Sequence, residues 1–417
     1  MPKPAARPRP KNPILRTRQA TLPPASRSRV AFGLTAAAAR GRFALQACRD
    51  CGAVQYPPRE VCRACLSHRL IWRPQDGKGE LLTETTLRTA QELYFRERLP
   101  WRIGLVCLDA GVNLVAYLHA TVGAASCRVR VKAALDRAGQ AALIAMPEKG
   151  RPDLSEDPKL REFTCDPRGR KILVTDGKTS GGQAIAHALA KAGADKIWIG
   201  EAEPWKKVAG LEALRGVPQA TIVPLDVTDG GSVQELAGEI GGKVDILINT
   251  ADHHRTFSIV GRRGIETAQL EMDVNYFGLL RLAQAFAPAL KARAADEPTN
   301  AIAWLNLLSI FALANYPPHG TYSASKAAAF SLSQALRAEL RPAGVRVINL
   351  FPGPIDDDWD QLEMPPKLSP AALAAAVVQA LKGSVEDVYP GDVAQDWVAR
   401  HLDNPKALER EVGEGGR

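Results

Sequence analysis

Between Lys171 and Leu350 the chain passes through six short, nearly uninterrupted apolar stretches: Lys171-Ile-Leu-Val-Thr175, Lys196-Ile-Trp-Ile-Gly200, Thr221-Ile-Val-Pro-Leu225, Val244-Asp-Ile-Leu-Ile-Asn249, Ala301 to Leu308, and Val345-Arg-Val-Ile-Asn-Leu350. Helix-forming segments such as Ala184 to Ala192 separate them. Strands that are apolar on both faces need cover on both faces. With helices between them they predict an α/β fold, a doubly wound parallel sheet. Ligands then bind at the carboxyl ends of the strands.

The chemistry gathers after the fifth stretch, in Ser309 to Lys326. Tyr322 and Lys326 stand four apart at the start of a helical run, so they share one helix face. An ammonium beside a phenol favours the phenolate and draws its pKa down from ~10, where a proton can be both given and taken. Ser309 ends the strand before them and offers a hydroxyl beside that phenol. Taken alone, such a Tyr-Lys pair is also ordinary on a solvated helix.

Upstream the pattern changes. Cys48-Arg-Asp-Cys51 and Cys62-Arg-Ala-Cys65 are two knuckles joined by a short loop, and four thiolates at that spacing close a tetrahedral, structural zinc site. Four shorter strand-like runs follow, from Gly79, Trp101, Val112 and Cys127, and suggest a small closed barrel. The expected organisation is a basic Pro-rich arm with a short helix (1–43), a ribbon (44–70), a barrel (71–147), a linker (148–169), the α/β domain (170–395) and a C-terminal tail (396–417).

Charge locates no nucleic-acid surface. The net charge is +9, but residues 1–30 carry eight basic side chains and no acid, leaving +1 for the other 387 residues. A barrel that binds single strands needs a basic groove with stacking aromatics, and here the basicity sits in the arm, so nucleic acid is not the expected partner. No export signal or stretch of 18 apolar residues is evident, which makes the cytoplasm the default expectation, without a membrane partner.

Two resemblances sharpen these readings. The order Cys-x-x-Cys, Tyr56-Pro-Pro-Arg59, Cys-x-x-Cys, then Leu108-Asp-Ala-Gly111 between barrel strands resembles the rubredoxin-like zinc-ribbon and OB-fold family found as accessory subunits of bacterial thiolases and related acyl-CoA enzymes. Residues 170–395 resemble the Rossmann-like short-chain dehydrogenase/reductase family, whose Asn, Ser, Tyr, Lys tetrad matches Asn275, Ser309, Tyr322 and Lys326. That resemblance implies hydride exchange with NAD or NADP. Tyr322 is then the proton donor or acceptor, Lys326 lowers its pKa and holds the ribose, Ser309 orients the carbonyl oxygen and Asn275 anchors a water.

It also assigns a cofactor cleft to Thr175, Gly177, Gly181, Gly182, Glu201, Asp226, Asn249, Pro352 and Gly353, together with Tyr322 and Lys326. Glu201 would favour NAD, while Lys206 and Lys207 suit NADP. Two elements depart from the family. Asp176 and Ser180 occupy glycine positions of the phosphate turn, where a carboxylate repels a diphosphate and a Cβ crowds it; Lys178 offers compensating charge. The fourth strand ends Asn249-Thr-Ala-Asp252 where the family has Asn-Asn-Ala-Gly.

Together the two resemblances imply a 3-hydroxyacyl-CoA dehydrogenase or 3-ketoacyl-CoA reductase acting on an acyl-CoA, or another carbonyl or hydroxy substrate. A thiolase-like protein partner and a homo- or hetero-oligomer are expected with it. The alternative is a non-catalytic scaffold subunit of an acyl-CoA complex with a degenerate cofactor site.

Overall fold

The structure is a computed structural model that describes residues 20–24, 28–150, 152–208, 210–256, 259–261, 263–296, 301–357 and 366–415. Of the basic arm side chains only Arg29 falls within these residues. Helix α1 (Phe32–Ala39) follows, and Gly41, at φ +68°, turns the chain out of it.

The ribbon is a three-stranded antiparallel sheet, with β1 (Ala44–Cys48) between β2 (Val54–Gln55) and β3 (Leu70–Pro74). Strands β4 (Lys78–Leu87), β5 (Trp101–Leu108), β6 (Asn113–Leu118), β7 (Cys127–Leu135) and β8 (Ala141–Pro147) close into a barrel in the order β4-β5-β6-β8-β7, with the short helix α2 (Leu93–Arg96) between β4 and β5. A parallel β6–β8 pairing completes the closure. Leu81, Val106, Leu114, Val129 and Ala145 fill the barrel core, and Leu34 of α1 joins them.

Residues 148–169 are not a loose linker. Leu154, Leu160 and Phe163 are buried against Trp101 and Ile144 of the barrel, so the connector is part of the packed body.

The α/β domain is a seven-stranded parallel sheet in the order β11-β10-β9-β12-β13-β14-β15. Its strands are β9 (Lys171–Val174), β10 (Lys196–Glu201), β11 (Ala220–Pro224), β12 (Ile246–Asn249), β13 (Ile302–Leu307), β14 (Val345–Leu350) and β15 (Asp387–Val388). The order reverses between β9 and β12, the place where such sheets open a ligand crevice. Every residue of β12 and β14 is buried, as the apolar runs require.

Helices α3 (Ser180–Lys191), α4 (Leu211–Arg215), α5 (Gly230–Ile240), α6 (Glu266–Met272), α7 (Leu279–Asp296), α8 (Gly320–Leu340) and α9 (Pro370–Gly383) connect the strands. Between α6 and α7 the turn widens into a π-helical stretch, Asp273–Gly278. The expected C-terminal tail is corrected: α10 (Asp392–Asp403) and α11 (Pro405–Gly413) pack Trp397, Leu408 and Val412 into the core that holds Tyr322 and Phe311. Apolar side chains at helical spacing bury this segment. No helix among the described residues is long and apolar enough to cross a membrane.

Candidate functional site

At the carboxyl ends of the parallel strands, backbone and side chains are tied together locally. Thr175 follows β9; its hydroxyl donates to Asn249 Oδ1 at 2.9 Å and accepts from the Thr250 and Ala251 amides at 3.0 and 3.2 Å. This stitches β9 to β12 at the crevice. The turn from Asp176 then packs too closely for side chains. An added Cβ at Gly182 would lie 2.3 Å from the Asp176 carbonyl oxygen, and one at Gly177 2.4 Å from Ile199 Cγ2. Gly181 is also buried in the first turn of α3, which Thr179 caps by accepting from the Gly182 amide at 3.1 Å.

Asp176 folds its carboxylate back onto its own turn, accepting from the Lys178 amide at 2.8 Å. Burial pushes its carboxyl above the usual carboxylate range; Lys178 opposes this, and Asp252 and Glu203 add to it. Further along the sheet edge, Glu201 ends β10 with its carboxylate 3.9 Å from Arg215. The Asp226 carboxylate accepts from the Thr228 amide and hydroxyl, at 2.8 and 2.7 Å. The Pro352 carbonyl accepts from Ile310 at 2.9 Å, and Gly353 lies against Val393. Lys206 is paired with Glu203.

The four tetrad positions come to this same edge, each buried to within a few percent of full cover. Ser309 leaves β13 and caps the short helical turn Ile310–Ala312, accepting from the Phe311 amide at 3.2 Å. The Lys326 ammonium lies 5.6 Å from the centre of the Tyr322 ring and donates to the Leu307 carbonyl at 3.2 Å. The Asn275 amide, in the π-helical stretch, donates to His253 O and Ser325 Oγ, both at 2.8 Å, and accepts from His253 N at 3.0 Å.

A residue that the sequence marks only as a departure from the family motif is built into this site. Asp252 places Oδ1 2.7 Å from Lys326 Nζ and Oδ2 3.0 Å from His254 Nδ1. Burial works against its ionisation, but Lys326 and His254 prevail and hold the carboxyl well below the usual range. The His254 ring stands 4.9 Å from Tyr322, and His319 5.7 Å from His254. Two adjacent histidines directly after the fourth strand, His253-His254, were the available sequence signal.

The cysteines form a separate centre in the ribbon. The Sγ atoms of Cys48, Cys51, Cys62 and Cys65 all lie within 4.8 Å of one another. Backbone N–H groups point at the sulfurs, from Asp50 to Cys48 and from Ala64 to Cys62, both at 3.4 Å. A hydrogen bond from the Cys51 backbone leads in pulling the Cys48 thiol down to about 6. Cys65 receives a lowering bond from Ser67, yet Cys51, burial and its other cysteine neighbours push it up to about 12. Thiolates this close repel one another, and a divalent cation is what lets all four ionise; the donor set fits structural zinc.

Comparison with known proteins agrees with this architecture. Residues 170–365 match the short chain dehydrogenase family. Residues 35–70 match the ChsH2 rubredoxin-like zinc ribbon domain and residues 72–136 the ChsH2 C-terminal OB-fold domain. An uncharacterized oxidoreductase of Staphylococcus aureus (strain USA300) is 31% identical over 218 residues, 51% of this chain and 90% of that protein. The short chain dehydrogenase tazN of Aspergillus terreus is 29% identical over 227 residues; the match spans 50% of this chain and only 49% of that curated relative. A short chain dehydrogenase from Burkholderia cenocepacia J2315, solved in complex with NADP, is 32% identical, with a TM-score of 0.53 over 59% of this chain and 98% of that one.

Proposed function

The chain belongs to the short chain dehydrogenase family, and from that premise we propose that it is an NAD- or NADP-dependent oxidoreductase that interconverts 3-hydroxyacyl-CoA and 3-ketoacyl-CoA. The observation that carries the redox reading is the convergence of Tyr322 and Lys326, 5.6 Å from ammonium to ring centre, at the carboxyl edge of a parallel sheet. The substrate class is supported by the ribbon and barrel, which resemble accessory domains of acyl-CoA enzymes, and these are the parts that dock a thiolase-like partner.

The turn keeps the close packing of a phosphate loop, because an added Cβ at Gly177 would meet Ile199 and Leu211 and one at Gly182 the Asp176 carbonyl. Thr175, Gly181, Asp226, Asn249, Pro352 and Gly353 would line the cofactor, with Glu201, Lys206 and Lys207 near the adenosine ribose. Bound nicotinamide supplies hydride exchange. Tyr322 passes the proton to or from the substrate oxygen, Ser309 orients that oxygen, and Lys326 steadies the phenolate and the ribose. Asn275 holds the loop after β12 in place and anchors the water of the proton path.

A second reading, a non-catalytic subunit of an acyl-CoA complex, is favoured by two observations: Lys326 is engaged by Asp252 at 2.7 Å, and Asp176 lines the phosphate turn. Fluorescence titration of the full chain with NADPH and NADH separates the two. Micromolar binding, followed by oxidation or reduction in a screen of acyl-CoA substrates, is the expected result. Absence of binding, both alone and with a co-purified thiolase, sinks the enzyme and leaves the subunit.

A further inference from the structure

We propose that Asp252 biases the cofactor cleft toward the oxidised, cationic nicotinamide, which favours release of hydride from the reduced ring and hence reduction of a carbonyl substrate within the bound complex. This rests on the oxidoreductase reading above and adds a direction to it. The Lys326 side chain is only 3% exposed and its ammonium is 2.7 Å from Asp252 Oδ1, so the cation at the heart of the site carries its own counter-ion. The other carboxylate oxygen meets His254 Nδ1 at 3.0 Å, and His254 leans on Tyr322 with ring centres 4.9 Å apart.

Charge decides what such a pair prefers. The nicotinamide ring bears one positive charge when oxidised and none when reduced. Hydride moves to or from the carbon whose oxygen exchanges its proton with Tyr322, so the ring must come within a few ångströms of Tyr322 and within the field of Lys326. A bare ammonium there repels the oxidised ring and is indifferent to the reduced one. Pairing with Asp252 cancels most of that repulsion. For unit charges about 7 Å apart in a medium of effective dielectric about 20, discounted for the partial exposure of Asp252, the change in preference is on the order of tenfold.

The surrounding charges do not undo the pairing. Asp252 adds to the burial that raises the Asp176 carboxyl, while Arg255 and Lys178 add to the burial that lowers His253. In the favoured direction the balance is simple. The reduced ring gives a hydrogen with two electrons to the carbonyl carbon and becomes cationic, the carbonyl oxygen takes the proton of the Tyr322 hydroxyl, and the carbonyl double bond becomes a single bond.

The test is the dissociation constants of NADP+, NADPH, NAD+ and NADH, measured by calorimetry on the full-length wild type and on Asp252→Asn. Asp252→Gly serves if the asparagine variant does not fold by circular dichroism. The expected result is that the ratio of the oxidised to the reduced dissociation constant rises about tenfold on removing the carboxylate. Binding of dinucleotide with an unchanged ratio overturns this inference and leaves the oxidoreductase reading intact. Failure of the wild type and both variants to bind any form overturns both.

Discussion

Asn275 grips the peptide group of His253 at both ends, accepting from its N–H at 3.0 Å and donating to its carbonyl at 2.8 Å. The second amide hydrogen goes to Ser325, beside Lys326, so one side chain locks the loop after β12 to the helix that carries Tyr322. The first prediction concerns this clamp. Asn275→Ala strands a buried amide and carbonyl, at about 1–3 kcal/mol for each group left without a partner. The urea midpoint should fall accordingly, and amide exchange at residues 251–256 should accelerate. Unchanged exchange there would show that the loop is held by other contacts.

Tyr322→Phe removes one hydroxyl from a side chain that is 7% exposed and packed among Phe311, Trp397 and other core residues. The ring packing survives, so the melting temperature should move by a few degrees at most. If Tyr322 transfers the proton, turnover should fall by about three orders of magnitude, since general acid–base catalysis typically contributes 10²–10⁴-fold. Dinucleotide binding should persist. A variant that keeps more than a tenth of the wild-type rate would remove Tyr322 from the chemistry.

The α/β sheet was legible because its strands are apolar on both faces, and the zinc ligands because four cysteines repeat a fixed spacing. Other features were hidden for physical reasons. Strand β8 is buried at all but its last residue and shows no alternation, so Ala141–Pro147 offered no half-exposed pattern to read. The helix at Asp392–Asp403 looked polar enough for a tail, and only Ala394 and Trp397 on one face anchor it. Asp252 stood out as a departure from a motif, but its partner lies 74 positions further on. Which cation meets a misplaced carboxylate is a property of the packed sheet and α8, and no local window contains it.

Asp176 gives a pH signature. Its folded carboxyl is raised by burial, so the folded state holds that proton more tightly than the unfolded chain, whose value is ~3.9. Its contribution to stability is therefore most favourable at low pH and is lost as pH rises through the folded value. A diphosphate meets the same charge. Asp176→Asn keeps the acceptor for the Lys178 amide and removes the titration. Relative to wild type it should gain stability at pH 7.5 and bind NADPH about fivefold more tightly, with both differences shrinking toward pH 5. Parallel pH curves for the two proteins would dismiss Asp176 as the source.

Zinc should be present at one ion per chain in elemental analysis of the purified protein, and Cys62→Ser should abolish it, since that sulfur belongs to a fully buried side chain. Structural zinc sites of this kind supply folding free energy outright, on the order of 10 kcal/mol in isolated fingers. Chelation should therefore unfold β1 to β3 and red-shift the emission of Trp72, which packs under Gly33 of α1. Binding of NADPH, a property of the other domain, should be retained. A metal-free protein with unaltered Trp72 emission would show that the ribbon stands without its ion.

Arg346, in β14, ties the two halves of the molecule together. Its guanidinium donates to Leu135 O at the end of the barrel strand β7 at 2.6 Å, to Phe163 O in the connector at 2.7 Å, and to Ser384 Oγ after α9 at 2.6 Å. Arg137 reciprocates from the barrel side, donating to Ala294 O of α7 at 2.8 Å, and Glu386 N donates to Ala39 O of α1 at 2.8 Å. Charged donors on buried carbonyls contribute about 1.5–3 kcal/mol each, more than a surface ion pair. With such links the barrel and the sheet should melt as one unit, giving a single calorimetric transition. Arg346→Met keeps the length of the side chain but takes the guanidinium from the Leu135 and Phe163 carbonyls, leaving them the Ser384 hydroxyl to share, and should destabilise the junction by about 2–4 kcal/mol. The expected consequence is a split into two transitions, the lower one moving with zinc chelation and the upper one with NADPH. One transition, shifted but undivided, would mean that the apolar contacts around Phe163 suffice to couple the domains without the guanidinium.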